Sequence, residues 1–278
     1  MTEWGTPYFL AWTTTPWTLP SNTALCVGPK IDYVAVQTYN GYTGEKMTVV
    51  LAKPLLYAHF NQKAEGLPLE DYKPGDKLIP FKVVGEYKGT DLVGMEYEQL
   101  IPWVKPVNVD ENGNWEEAAN QAFRVILGDY VTTEDGTGIV HIAPAFGEDD
   151  ANVGRNYDLP FVQFVDGKGQ LTEETPYAGK FVKDADKDVL IDLDKEGKLF
   201  DAPKFEHEYP HCWRCDTPLI YYARESWYIK ETAVRDDLIR NNNTVNWIPE
   251  SIGKGRFGNW LENIQDLSLI HISEPTRL

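Results

Sequence analysis

Cysteine is scarce in this chain: Cys26, Cys212 and Cys215 are the only three in 278 residues. That is too few for a disulfide framework, and a reducing cytoplasm is the simplest home. No apolar run reaches the roughly 18 residues that a membrane-spanning helix needs. Residues 1–8 carry neither a basic start nor a long apolar stretch, so no secretory signal is expected. Basic residues are also short: 26 Lys and Arg stand against 43 Asp and Glu, a formal net charge of −17. A protein that lives on phosphate contacts usually shows a basic face. If RNA is a partner here, other parts of a larger protein should supply most of the affinity. The phosphate-binding loop, the dinucleotide fingerprint and the nucleophile elbow are all missing.

What is present is enough apolar material for a sizeable core, since 42% of residues are hydrophobic and 13% aromatic. The length suits one large domain, or one domain and part of another. Alternating and β-branched residues predict strands at Tyr33–Thr38, Met47–Leu51, Lys82–Tyr87, Gly138–Ile142 and Phe161–Val165. Turn signals separate them, among them Asn40–Gly41, Asn112–Gly113–Asn114 and Asp166–Gly167. Helices are predicted at Lys53–Asn61, Asp149–Tyr157 and Asp184–Glu196. Many short strands with Gly and Pro punctuation suggest an α+β fold built on a β-barrel or sandwich with a few inserted helices. The character changes near Phe205. A Cys-x-x-Cys turn follows, then a Tyr- and Trp-rich strand pair over Leu219–Lys230, and an amphipathic helix over Glu231–Asn243.

Three segments could carry chemistry. The first, Thr13–Asn22 (TTTPWTLPSN), packs four threonines, a serine and an asparagine into ten residues. Its hydroxyls could grip a sugar, an ester or a carbonyl, or could simply satisfy a local turn. The second, Gly136–Asp150 (GTGIVHIAPAFGEDD), allows close backbone approach at its glycines. It then runs through a strand to a loop that delivers Glu148, Asp149 and Asp150 to a helix start. A carboxylate there either caps the helix or binds a cation such as an α-ammonium. His141, in mid-strand, reads as a general base or as a packed residue. The third is Cys212–Cys215, half of a zinc knuckle whose fourfold ligand set is incomplete. His207 is a possible third ligand. His211 adjoins Cys212 too closely to join the same tetrahedron.

Taken together these segments, with Tyr209–Leu219 (YPHCWRCDTPL) and Gly255–Asn263 (GRFGNWLEN), closely resemble the isoleucyl-tRNA synthetases in that family's chain order. The likeness covers roughly residues 8–266. The related valyl and leucyl enzymes usually carry an arginine after the first two threonines, where this chain has Thr15. The resemblance implies an inserted editing domain over residues 8–205, β-barrel-rich. Residues 206–266 would hold the Cys-x-x-Cys segment and a partial α/β return to the synthetase core. Residues 267–278 (LSLIHISEPTRL) depart from the family and read as a tail outside the native structure, expected to be poorly ordered.

The function implied is hydrolysis of valine misattached to tRNA(Ile). One methylene gives a synthetic site only about 1–3 kcal/mol of discrimination, so a second site must remove the errors. By resemblance, Thr13, Thr14, Thr15 and Asn22 hold the ester and terminal adenosine, and Asp150 grips the α-ammonium. His141 narrows the pocket against isoleucine, with Trp17 and Asp149 beside the substrate. No cofactor is implied for editing. ATP and magnesium belong to the whole ligase, whose HIGH and KMSKS signatures are absent here. Zinc is expected weakly if at all, because Cys212 and Cys215 would pair with cysteines upstream of Met1. The partners implied are the valine-bearing acceptor end of tRNA(Ile) and the rest of the synthetase, with no membrane. The rival readings are a non-catalytic module that positions a tRNA end, and a zinc-ribbon scaffold.

Overall fold

The computed structural model describes residues 3–109, 114–204, 208–224 and 226–269. The chain forms two compact units, Met1–Ala223 and Arg224–Leu278. Among the described residues no helix is long and apolar enough to cross a membrane.

In the first unit the chain runs β1 (Tyr8–Phe9), a 3-10 helix (Pro16–Ser21), β2 (Ala24–Val27), β3 (Asp32–Tyr39), β4 (Lys46–Ala52) and α1 (Leu56–His59). It continues through β5 (Lys82–Lys88), α2 (Gly89–Leu92), β6 (Val107–Val109), β7 (Trp115–Glu117), β8 (Arg124–Leu127) and β9 (Ile139–Ile142). Helices α3 (Glu148–Asn156) and α4 (Val182–Lys195) complete it. The strands make one sheet in the order β1-β4-β3-β5, a second in the order β8-β2-β9 and a β6-β7 hairpin. β2 lies parallel to β8 and antiparallel to β9, which sets Leu25 opposite His141. These sheets are open among the described residues, so the fold is α+β but the anticipated closed barrel is not seen. The physical reason lies in the partners: most ladder bonds are satisfied within two separate sheets, joined face to face by an apolar layer. Leu25, Val27, Tyr33, Ala35, Val50, Val125 and Ile139 form that layer. The hydroxyl of buried Tyr33 stitches it, accepting from the Gly28 amide at 2.8 Å and donating to the Gly138 carbonyl at 2.7 Å.

Gly138 is where the second motif earns its glycine. Its φ is +72°, and a Cβ there would fall 2.4 Å from the Ala52 Cβ. The Ala52 amide meanwhile donates to the Thr137 carbonyl at 2.9 Å, so β4 and the start of β9 are in near contact.

The predicted strand at Phe161–Val165 makes only isolated bridges, from Phe161 to Val107 and from Val165 to Leu171. Val162, Phe164 and Val165 are all buried in a cluster with Trp17, Phe146 and Val182, so packing rather than a ladder fixes this segment. The break between units also falls later than the change of character near Phe205, a residue outside the described ones. Ile220 and Tyr222 pack on the Phe164 cluster, and the Ala223 amide donates to Ala145 at 2.7 Å. The Cys-x-x-Cys segment therefore belongs with the first unit.

The second unit holds β10 (Tyr228–Ile229), α5 (Arg235–Asn242), α6 (Ser251–Lys254), α7 (Arg256–Glu262) and β11 (Leu267–Ser268). Its described residues show no parallel sheet. Among the described residues the expected strand pair within Leu219–Lys230 is not seen; β10 pairs instead with β11, Tyr228 opposite Ser268. Leu267 and Ser268 thus take part in the fold, contrary to the expectation for the tail, whose residues 270–278 lie outside the described ones.

Candidate functional site

The threonine segment folds as a short turn whose amides from Thr15 to Thr18 find acceptors within the turn or on α4. A 3-10 helix begins at Pro16, which has no N–H to satisfy. The Thr15 amide donates to Thr13 Oγ1 at 3.0 Å, and the Trp17 amide donates to Asp186 Oδ1 of α4 at 2.9 Å. The Thr18 amide closes the first turn on the Thr15 carbonyl at 3.0 Å. A hydroxyl relay lies along this scaffold: Thr13 to Thr15 at 3.3 Å, Thr15 to Thr18 at 3.3 Å, and Thr18 to His141 Nε2 at 3.2 Å.

The relay fixes the state of the imidazole. The Thr18 hydroxyl has one proton and donates it to the Thr15 carbonyl at 2.8 Å. The approach to His141 then needs a proton on Nε2, leaving Nδ1 as a bare lone pair. That Nδ1 is buried and has no protein partner among the described residues. Burial pushes the His141 pKa down to about 4, so the ring is neutral at physiological pH.

Asp150 sits in the first turn of α3 with Glu148 and Asp149, but its side chain does not cap that helix. It reaches back across the loop, and Oδ2 accepts from the Ala143 amide at 3.0 Å. Its other oxygen has no protein donor among the described residues. Burial raises the carboxyl pKa, the Ala143 bond opposes that rise, and the nearby Asp149 charge adds to it. A cation at the open oxygen would relieve the burial cost, which suits an ammonium group. Asp149 itself is exposed.

A cavity of about 330 Å³ opens beside the threonines, lined by Trp12, Thr13, Thr14, His59 and Thr137 among others. Thr15, Thr18, His141 and Asp150 do not line it. The three threonines therefore do not form one wall. Thr14 serves the cavity, Thr15 serves the relay toward His141, and Thr13 belongs to both.

Two expected site residues turn toward the protein interior. Asn22 is buried and held by the protein: Nδ2 donates to the Ala24 carbonyl at 2.8 Å, and Oδ1 accepts from the Tyr97 hydroxyl at 2.6 Å. Trp17 is a core residue at 3% exposure, its ring edge-on to Phe146 at 4.9 Å. Four residues escaped the sequence reading. Thr18 stood inside the quoted motif and differs from its neighbours only in being one helical turn beyond Thr15. Thr137 stood inside the second quoted motif, whereas His59 and Asp186 carried no local signal; the His59 Nε2–H donates to the Gly136 carbonyl at 2.7 Å.

Cys212 and Cys215 stand on an exposed turn. The Cys215 thiol lies 3.2 Å from Thr217 Oγ1, and that hydrogen bond, with help from the Thr217 amide and Cys212, lowers its pKa. No cluster of three or more His, Cys, Asp or Glu side chains suited to a metal occurs among the described residues. His207 lies outside them.

Residues 13–271 match the family described as tRNA synthetases class I (I, L, M and V). The isoleucine–tRNA ligase of Bacteroides thetaiotaomicron is 54% identical over 97% of this chain and 27% of its own length. That of Bacteroides fragilis is 55% identical over 97% of this chain and 26% of its own. That of Clostridium acetobutylicum is 46% identical over 93% and 22%. The chain spans about a quarter of the length of these curated relatives. Among solved structures, the P. falciparum cytosolic leucyl-tRNA synthetase editing domain aligns with a TM-score of 0.47 and 14% identity, over 77% of this chain and 79% of that one. The P. knowlesi counterpart gives 0.46 and 13%, over 77% and 83%.

Proposed function

This chain belongs to the class I tRNA synthetases (I, L, M and V), its curated relatives cited above being isoleucine–tRNA ligases, and we propose that its first unit hydrolyses valine from misacylated tRNA(Ile). The single observation that carries the reading is the pairing of a hydroxyl relay with a half-tied carboxylate. Asp150 keeps one oxygen on the Ala143 amide and offers the other to the substrate's α-ammonium. The cavity beside Thr13 and Thr14 would take the terminal adenosine, while His141 and Asp150 stand outside its lining.

Aminoacyl esters are already labile, so positioning supplies most of what the reaction needs. Water held by threonine hydroxyls and ribose oxygens attacks the ester carbonyl carbon. The bond from that carbon to the ribose oxygen breaks, and the water's second proton ends on the ribose. Valine and tRNA with a free 3′ end are the products. His141 is a poor general base, because a pKa of about 4 leaves it little proton affinity near neutrality. Its place is steric: a neutral ring pinned by Thr18, set to exclude the extra methylene of isoleucine. Editing needs no cofactor in this scheme, and zinc, ATP and magnesium belong to the whole ligase.

The test compares release of valine and isoleucine from tRNA(Ile) by the native chain and by Asp150→Ala. Selective valine release that the variant loses supports the reading. Native protein that folds, binds tRNA(Ile) and releases neither amino acid would reduce the unit to a tRNA-end clamp.

A further inference from the structure

We propose that Asp186, on α4, is a positioning residue for the hydrolytic site: it holds the Trp17 amide and so sets where Thr15 and Thr18 stand against His141. Its effect on the reaction rests on the editing function proposed above. The tie itself does not.

The head of the 3-10 helix has one amide that the turn itself does not satisfy. A helix start leaves its first amides without internal partners. Here Thr15 is served by Thr13, Pro16 has no donor, and only Trp17 needs a group from elsewhere. Asp186 supplies it from 169 residues away. The carboxylate is mostly enclosed, with a side-chain exposure of 20%, and its second oxygen faces Lys183 Nζ at 3.3 Å. Burial raises its pKa, while the Trp17 amide and Lys183 oppose the rise.

Apolar contacts hold the same turn to the same helix. Trp17 packs with Val182 and Ala185, and Leu19 packs with Val189 and Leu193. Losing Asp186 should therefore leave the turn docked but free to rotate on that greasy seat. The relay is sensitive to such a shift, because its hydroxyl contacts already span 3.2–3.3 Å, the long end of hydrogen bonding. An acceptor at this place is what matters, and an amide oxygen should serve nearly as well as a carboxylate.

The experiment compares native protein, Asp186→Ala and Asp186→Asn by amide hydrogen exchange and by valine release from tRNA(Ile). In Asp186→Ala the Trp17 amide should exchange at least about tenfold faster, while amides of β3 and β4 keep their native rates. The kcat for valine release should fall about tenfold with KM within about twofold, the pattern of a misplaced reacting group. Asp186→Asn should restore both. Native exchange at Trp17 in the alanine variant would overturn the tie. An asparagine variant as impaired as alanine would overturn the acceptor role and leave the charge facing Lys183 as the cause. If the native chain releases no valine, the editing proposal fails, and exchange at Trp17 still decides the role of Asp186.

Discussion

The threonine turn and the cysteine turn are both short motifs of conspicuous composition, yet the fold treats them in opposite ways. The first is tied by groups far away in sequence: Asp186 at the Trp17 amide, His141 at Thr18, and the Val162 carbonyl at the Ser21 hydroxyl. The second is tied almost wholly to itself. The Cys212 amide donates to Thr217 at 2.9 Å, and the Asp216 amide donates back to Cys212 at 2.8 Å. Trp213, between the cysteines, is 87% exposed. Long-range ties fix hydroxyl directions relative to a second element. A locally tied turn keeps its shape alone and places nothing against a second element.

Substitutions test this contrast. The largest effect is expected from Asp150→Ala, which removes the carboxylate held by Ala143. Valine release, followed as kcat/KM, should fall by about two to three orders of magnitude. Next comes Asn22→Ala, which strands the Tyr97 hydroxyl and the Ala24 carbonyl inside the core. Denaturant unfolding should show a loss of about 3 kcal/mol, marking Asn22 as part of the turn's foundation.

A third effect follows from His141. Its folded pKa of about 4 lies below the ordinary 6.5, so the unfolded chain takes up the proton first as pH falls. The stability carried by the neutral ring is complete above pH 6.5 and is lost progressively toward pH 4. Between pH 7.5 and 4.5 the native protein should lose about 2 kcal/mol more than His141→Gln. Asp150 and Asp186, whose pKa values are raised, act in the opposite sense in both proteins and cancel in the subtraction. The smallest effect belongs to the cysteine turn. Replacing Cys212 and Cys215 by serine should change stability by less than about 0.5 kcal/mol and leave valine release untouched. Dialysed native protein should hold well under one zinc per chain by metal analysis.

Much of this architecture is legible in the sequence because local patterns caused it. The β-branched runs in residues 32–39 and 46–52 produce β3 and β4, buried along nearly their whole length, and the acids at 148–150 open α3. What pairs with what is less legible. β2 and β8 lie side by side, Ala24 opposite Arg124, and nothing local announces a partner at that distance. The same limit governs the site. Thr13, Thr15, His141 and Asp150 stood out by composition; the first three share the hydroxyl relay, and Asp150 is tied instead to the Ala143 amide. Asn22 and Trp17 shared that composition, but their side chains turn inward, a choice made by Tyr97 and Phe146 from other parts of the chain. Asp186 was invisible for the same reason. The aromatics of the second unit divide likewise: Trp227, Tyr228 and Trp260 are exposed, whereas Trp247 and Phe257 partly cover each other at 5.2 Å.

In the proposed reaction positioning, without a general base, is sufficient for hydrolysis. The decisive measurement is release of valine and isoleucine from tRNA(Ile) by His141→Ala. Valine release should stay within about tenfold of native and isoleucine should be newly released, because a steric wall has gone. A fall in valine release by several orders of magnitude would contradict this scheme and make His141 the base.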